Sequence, residues 1–122
     1  MKNTTQATLE GYYEGIGQKN GWQDFVSENI AFDGTGVKAT QGKEAYIAGT
    51  DQFLRAVTNS QIKEMIVEGE KACTLMHYEL MSPNGKRASS DVAEIMIVRD
   101  GKIIASSIYF DTAAFSRFKA DE

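Results

Sequence analysis

The chain is short of several things, and each shortage narrows what it can be. It has one cysteine, Cys73, so no internal disulfide can form. A reducing, cytoplasmic setting is the simplest expectation. It also has one histidine, His77, so no His/Cys pair stands at metal-ligand spacing and no transition-metal site is expected. Positive charge is scarce: 13 Lys+Arg against 17 Asp+Glu leave a net charge of -4. That weighs against a basic nucleic-acid footprint. The longest uninterrupted aliphatic stretch, Ile95-Met96-Ile97-Val98, is far too short to span a bilayer. The polar start Met1 to Gln6 has no apolar core of a signal peptide. There is no glycine-rich phosphate loop, no G-x-S-x-G and no internal repeat, so no cofactor is implied.

What is present is globular. The 122 residues are 42% hydrophobic and 10% aromatic, which suits a single domain over 1–122. Leu9, Tyr12, Tyr13 and Ile16 recur at helical spacing, and Lys19-Asn20-Gly21 stops that helix. Trp22, Phe25 and Val26 make a short helical turn. Ile30 to Phe32 reads as a brief strand ended by the turn cluster Asp33 to Gly36. Gly42-Lys43-Glu44 opens a second helix with Tyr46, Thr50, Phe53, Leu54 and Val57 on one side.

The second half changes period. Segments 61–68, 71–81, 87–99 and 103–110 are rich in β-branched, aromatic and aliphatic residues. Turn signals at Gly69-Glu70, Pro83-Asn84-Gly85 and Asp100-Gly101 separate them, so successive strands are antiparallel neighbours. Asp111 and Thr112 suit a cap for a last helical turn through Ala113, Ala114, Phe115 and Phe118. Helices first and a meander last predict an α+β fold, with helices on one face of a curved antiparallel sheet.

Two-residue turns at Asn84-Gly85 and Asp100-Gly101 would set Tyr78 opposite Asp91, Met76 opposite Ala93 and Ala93 opposite Ile108. Opposed residues share a face. The more apolar face then carries Met76, Tyr78, Asp91, Ala93, Ile95, Ile108 and Phe110, and is assigned to the helices. Asp91 is its only carboxylate. An acid among apolar neighbours has a raised pKa and suits proton transfer, with Tyr78 beside it. His77, Glu79, Val92 and Glu94 fall on the other face, whose mixed character suits a sheet-to-sheet dimer contact.

Tyr12-Tyr13 in the first helix, Trp22 to Phe32, Gly42 to Ile47, Arg99 to Ile103 and Ile108 to Asp111 follow one another in a familiar order. Through nearly its whole length the chain resembles the nuclear transport factor 2-like superfamily, in its SnoaL-like and ketosteroid-isomerase-like branches. The resemblance implies a cone-shaped sheet wrapped around the N-terminal helices, an apolar pocket at the open end, and frequent homodimers. In ketosteroid isomerases the base is an Asp after the first strand, and Asp33 stands at the family's spacing before Gly42. The first-helix Tyr of the oxyanion hole corresponds to Tyr13. The hole's protonated Asp falls on Ala93, with Asp91 two residues earlier. The acid of limonene epoxide hydrolase falls on Ile108, which cannot ionise.

Each residue also has a plainer reading. Asp33 before Gly34 suits a turn, and Asp91 could bond Tyr78 for structure alone. Cys73 suits simple packing. Tyr12, Tyr13, Tyr46, Phe53 and Trp22 are more often core than pocket wall, but in such a fold core and pocket are continuous, and Trp22, Tyr46, Phe53, Met76, Ile95, Ile108 and Phe110 are assigned to the pocket wall. Two functions follow. One is a cofactor-independent isomerase or cyclase acting on an apolar carbonyl-containing substrate, with Asp33 or Asp91 moving the proton and Tyr13 or Tyr78 stabilising the developing oxyanion. The other is a non-catalytic module that binds a small apolar ligand or dimerises through the outer sheet face.

Overall fold

The structure is a computed structural model describing residues 4–111 and residue 113. Helix α1 (Thr4–Gln18) buries Leu9, Tyr12, Tyr13 and Ile16, the stripe that the spacing predicts. It ends where Lys19 takes a left-handed φ of 59° and Asn20 N donates to Gly15 O at 3.0 Å. A 3₁₀ turn, Trp22–Phe25, folds straight back against it. Gly15 makes that reversal possible: a Cβ there would lie 2.5 Å from the backbone nitrogen of Trp22. Trp22 is thereby fully buried at the base of the core.

Strands β1 (Val26–Gly34) and β2 (Val37–Gln41) form a hairpin, followed by helix α2 (Lys43–Leu54). β3 (Val57–Glu68), β4 (Lys71–Met81), β5 (Arg87–Arg99) and β6 (Lys102–Tyr109) are the long meander. The six strands make one curved open sheet in the order β2-β1-β6-β5-β4-β3. The fold is α+β, as the order of elements predicts.

Three details differ from the sequence reading. The first strand is longer and carries a partner, β2, and β1 runs parallel to β6. Val57 begins β3 instead of ending the second helix. The turn cluster at Asp33 to Gly36 lies inside the β1–β2 hairpin. There Gly34 has φ 146°, and a Cβ on it would strike Ile108 O at 2.0 Å, so only glycine lets the hairpin close on β6. Asp111 Oδ1 accepts from Ala113 N at 3.0 Å; the rest of the expected last helical turn, Thr112, Ala114, Phe115 and Phe118, lies outside the described residues. Among the described residues no helix is long and apolar enough to cross a membrane.

The main correction is register. Met81 pairs with Arg87, so five residues form the β4–β5 loop, where Ser82 N donates to Lys86 O and Gly85 N to Ser82 O. Tyr78 therefore pairs with Ser90, and Asp91 with His77. Asp100 and Gly101 both have positive φ and do form a two-residue turn. A bulge beyond Val98–Ile103 then shifts β6 by one residue, pairing Glu94 with Ile108 and Ala93 with Tyr109. A slip of one residue turns every side chain to the opposite face. On β5 the buried set is Val92, Glu94, Met96 and Val98, whereas Ala93, Ile95 and Ile97 are half-buried on the outside.

Candidate active site

Between the inner sheet face and the two helices lies a cavity of about 450 Å³, within the range of small-molecule sites. Its floor is buried: Tyr12 and Ile16 from α1, Tyr46 from α2, Tyr78 from β4, Val92 and Glu94 from β5, and Ser106 from β6. Its rim is half-buried or exposed: Phe32, Asp33 and Val37 from the β1–β2 hairpin, Phe53 from α2, and Ile108 and Phe110. Edge-to-face ring pairs stiffen the wall, Phe53 with Tyr78 at 5.0 Å and Phe32 with Tyr46 at 5.2 Å between centroids.

Glu94 is the focal group. It is 6% exposed and lines the cavity. Tyr13 Oη donates to its Oε1 at 2.8 Å and Tyr78 Oη to its Oε2 at 2.7 Å. Each carboxylate oxygen keeps a second lone pair beyond its tyrosine bond. Burial raises the Glu94 pKa from its ordinary 4.5, and the hydrogen bonds from Tyr78 and Tyr13 only partly offset this. A carboxyl so placed is a stronger base than a solvated one, and its position is fixed from two sides. Burial first, and the Glu94 charge second, raise the pKa of Tyr13 and of Tyr78, so both remain hydrogen-bond donors.

A second polar station stands nearby. The hydroxyl oxygens of Tyr12 and Tyr46 are 2.6 Å apart, one donating to the other. Burial pushes the Tyr46 pKa up to about 12, against the help that Tyr12, Ser106 and Thr50 give its phenolate. Burial also raises Tyr12, followed by the charges of Tyr46 and Glu94. These hydroxyls supply a proton donor to a ligand oxygen without ionising in the neutral range.

The four residues read from the sequence as catalytic do not converge. Tyr13 and Tyr78 meet at Glu94. Asp33 stays at the rim, exposed, accepting from Ser107 Oγ at 2.5 Å. Asp91 is on the outer face, a correction that follows from the register. His77 Nδ1 lies 2.7 Å from it and Lys63 Nζ 3.4 Å, and its side chain is 61% exposed. The His77 hydrogen bond is the main cause lowering the Asp91 pKa, and Asp91 is the main cause raising that of His77.

Of the seven residues assigned to the pocket wall, Tyr46, Phe53, Ile108 and Phe110 line the cavity. Trp22 and Met76 lie in the core beneath it, and Ile95 is on the outer face for the same reason as Asp91. Cys73 is half-buried on that outer side. Among the described residues no three His, Cys, Asp or Glu side chains converge on a metal-binding position.

Glu94 was hidden in the sequence by its surroundings. In Val92-Ala93-Glu94-Ile95-Met96-Ile97-Val98 both alternate sets are apolar, so hydrophobicity does not tell inside from outside. The legible signal was the acid itself. A lone Glu in such a run needs partners, and Tyr13 and Tyr78 supply them.

With this geometry the family is decided by sequence: the SnoaL-like domain profile matches residues 9–106. The chain belongs to the SnoaL-like family. The family lies in the nuclear transport factor 2-like superfamily, and solved structures share the fold of this SnoaL-like domain. An NTF2-like protein of unknown function from Burkholderia pseudomallei K96243 is 16% identical. It matches with TM-score 0.84 over 96% of this chain and 98% of its own. A protein from Jannaschia sp. CCS1 provisionally named a SnoaL-like polyketide cyclase is 15% identical, with TM-score 0.82 over 94% of this chain and 90% of its own. A protein from Rhodopseudomonas palustris provisionally named an isomerase is 12% identical, with TM-score 0.80 over 100% and 99%. At these identities the likeness is one of fold. None of the curated proteins matches the chain.

Proposed function

We propose that this SnoaL-like domain is a cofactor-independent isomerase or cyclase that moves a proton on an apolar, carbonyl-containing substrate, with Glu94 as the acid–base group. The observation that carries the reading is a buried carboxylate that faces a ligand-sized cavity and is held by two tyrosines. A substrate carbon acidified by a neighbouring carbonyl gives its proton to a Glu94 oxygen. The electron pair of that C–H bond moves onto the carbonyl oxygen, which the Tyr12–Tyr46 hydroxyls stabilise by donation. Returning the proton to a different carbon isomerises the substrate. Attack of the enolate carbon on a second carbonyl closes a ring, and the proton on Glu94 then neutralises the new alkoxide. The provisional names of the Jannaschia and Rhodopseudomonas proteins agree with this class of reaction.

The test is hydrogen–deuterium exchange at the α-carbons of 2-tetralone in D₂O, followed by proton NMR. The wild-type domain accelerates exchange, and Glu94→Gln loses about 10²- to 10⁴-fold of that acceleration. No acceleration by the wild type, or equal acceleration by Glu94→Gln, contradicts the reading.

A non-catalytic role of the outer sheet face is favoured by a separate observation. Ile66, Leu75 and Tyr109 are 57%, 37% and 49% exposed there, beside half-buried Ile95 and Ile97. We propose that a second copy of the chain covers this face as a homodimer. Sedimentation of the wild type as a dimer and of Ile66→Lys as a monomer is the expected result; a monomeric wild type overturns it.

A further inference from the structure

We infer that Thr74 is a positioning residue for Glu94: its hydroxyl closes onto Tyr13 Oη as a donor and so holds the Tyr13 proton on the Glu94 carboxylate. This rests on the proposal that Glu94 is the acid–base group, and adds to it a residue that stands outside the cavity lining.

Thr74 is 1% exposed on the inner face of β4, directly across from Met65 on β3 and from Glu94 on β5. Directly opposed residues share a face, so its side chain lies beside that of Glu94. Ala72, Met76, Val92 and Met96 on the same two strands are buried and apolar. A valine would fill the same β-branched shape without taking a hydroxyl out of water. Thr74 Oγ1 is fully buried and makes no hydrogen bond of ordinary geometry with any described residue. A buried orphan of this kind costs stability and calls for a reason. The group beside it is the Tyr13 phenol. Burial is the largest influence on that phenol and raises its pKa; Thr74 acts in the other direction, by hydrogen bonding to the phenolate. A hydroxyl rotor turns to suit its partner, so a small side-chain adjustment completes the bond and satisfies the orphan.

The bond has a consequence at Glu94. Tyr13 Oη has one proton and two acceptors in reach, Glu94 Oε1 at 2.8 Å and Met96 Sδ at 3.9 Å. A donor on the phenol oxygen favours the stronger acceptor, because each bond in a chain polarises the next. The chain runs from Thr74 Oγ1 through Tyr13 Oη to Glu94 Oε1, and it stabilises the carboxylate against the proton. The other titratable groups facing Glu94 are Tyr12 from α1, Tyr46 from α2 and Tyr78 from β4, with Asp33 at the rim. Burial raises the pKa of all three tyrosines, so they stay neutral where Glu94 titrates.

The test divides the side chain in two. Thr74→Val keeps the shape and loses the hydroxyl; Thr74→Ser keeps the hydroxyl and loses the methyl. The Glu94 carboxyl of the full chain is titrated by carbon-13 NMR in each variant, and 2-tetralone exchange is followed over the same pH range. In Thr74→Val the Glu94 midpoint rises, and exchange on the acid side of it falls by about 2- to 10-fold. At higher pH, where Glu94 is ionised in every protein, the rates converge. In Thr74→Ser both readouts stay near the wild type. A midpoint unmoved or lowered in Thr74→Val overturns the inference. So does an equal rise in Thr74→Ser, or a loss of exchange that is the same at every pH, which is the mark of packing alone. The midpoint is read without substrate and therefore stands apart from the proton-transfer reading. The expected midpoints with no exchange by the wild type would sink that reading alone. Exchange lost in Glu94→Gln with the midpoint unmoved in Thr74→Val would sink the Thr74 assignment alone.

Discussion

Asp91 and Glu94 stand three residues apart on one strand and face opposite worlds. Asp91 projects from the outer face to a histidine and a lysine in water, and its pKa falls below the ordinary 3.8. Glu94 projects into the cavity between two tyrosine hydroxyls, and its pKa rises above the ordinary 4.5. Residue type and strand are nearly the same; solvent access and the kind of partner differ. A cationic partner in water stabilises the charge, whereas neutral donors in a buried site only partly replace lost hydration. The proton-transfer chemistry that a carboxyl can perform is therefore fixed by the side of the sheet it occupies.

The sharpest way to break this comparison is catalytic. Asp91→Asn leaves the exchange of 2-tetralone at the wild-type rate, while Glu94→Gln lowers it by about 10²- to 10⁴-fold. The same contrast holds for packing. Met96 is 1% exposed on the inner face, and Met96→Ala costs about 2–5 kcal/mol of unfolding free energy in urea titrations. Ile95→Ala on the outer face costs clearly less in dilute protein, and an equal cost would show that the faces are not distinct.

A smaller effect concerns the tyrosines. Tyr78→Phe deprives Glu94 Oε2 of its donor in a buried place, which destabilises by about 1–3 kcal/mol. Because that bond lowers the Glu94 pKa, the variant also raises it further, as a carboxyl-carbon NMR titration would record. The pH dependence of stability follows in sign. A carboxyl whose folded pKa is raised contributes fully below its unfolded value near 4.5, and that contribution is lost as pH climbs through the folded value. Thermal melts of wild type and Glu94→Gln therefore converge, then favour the variant, as pH rises from 4.5. A gap that moves the other way would place Glu94 in a charge-stabilising site.

The smallest effect belongs to the outer pair. Its His77 member contributes below 6.5 and loses that contribution as pH rises, and Asp91 contributes above 3.8 and loses it as pH falls. Both are solvated, so His77→Gln shifts the melting temperature only slightly, between those two values, and salt erases the shift.

Much of the scaffold was legible because local chemistry and fold agree. The α1 stripe, the Asp100-Gly101 turn and the alternation within β4 each point to the element observed. β2 was not legible: Val37-Lys38-Ala39-Thr40-Gln41 has only two apolar residues and is mostly exposed, and its pairing with β1 gives it strand form. The parallel pairing of β1 with β6 joins residues far apart in sequence and leaves no local mark. The site was lost at one loop and one bulge. Asn84-Gly85 suggests a two-residue turn, but Ser82 bonds to Lys86 and widens it to five. Since β5 is apolar on both faces, hydrophobicity did not correct the slip, and Asp91 took the place of Glu94.

The account stands or falls on which of the two acids is the buried one. A single carbon-13 NMR titration of the side-chain carboxyls, followed in one sample, measures both. The account predicts a midpoint above 4.5 for Glu94 and below 3.8 for Asp91. Midpoints in the reverse order, or a Glu94 that titrates at or below 4.5, would contradict it.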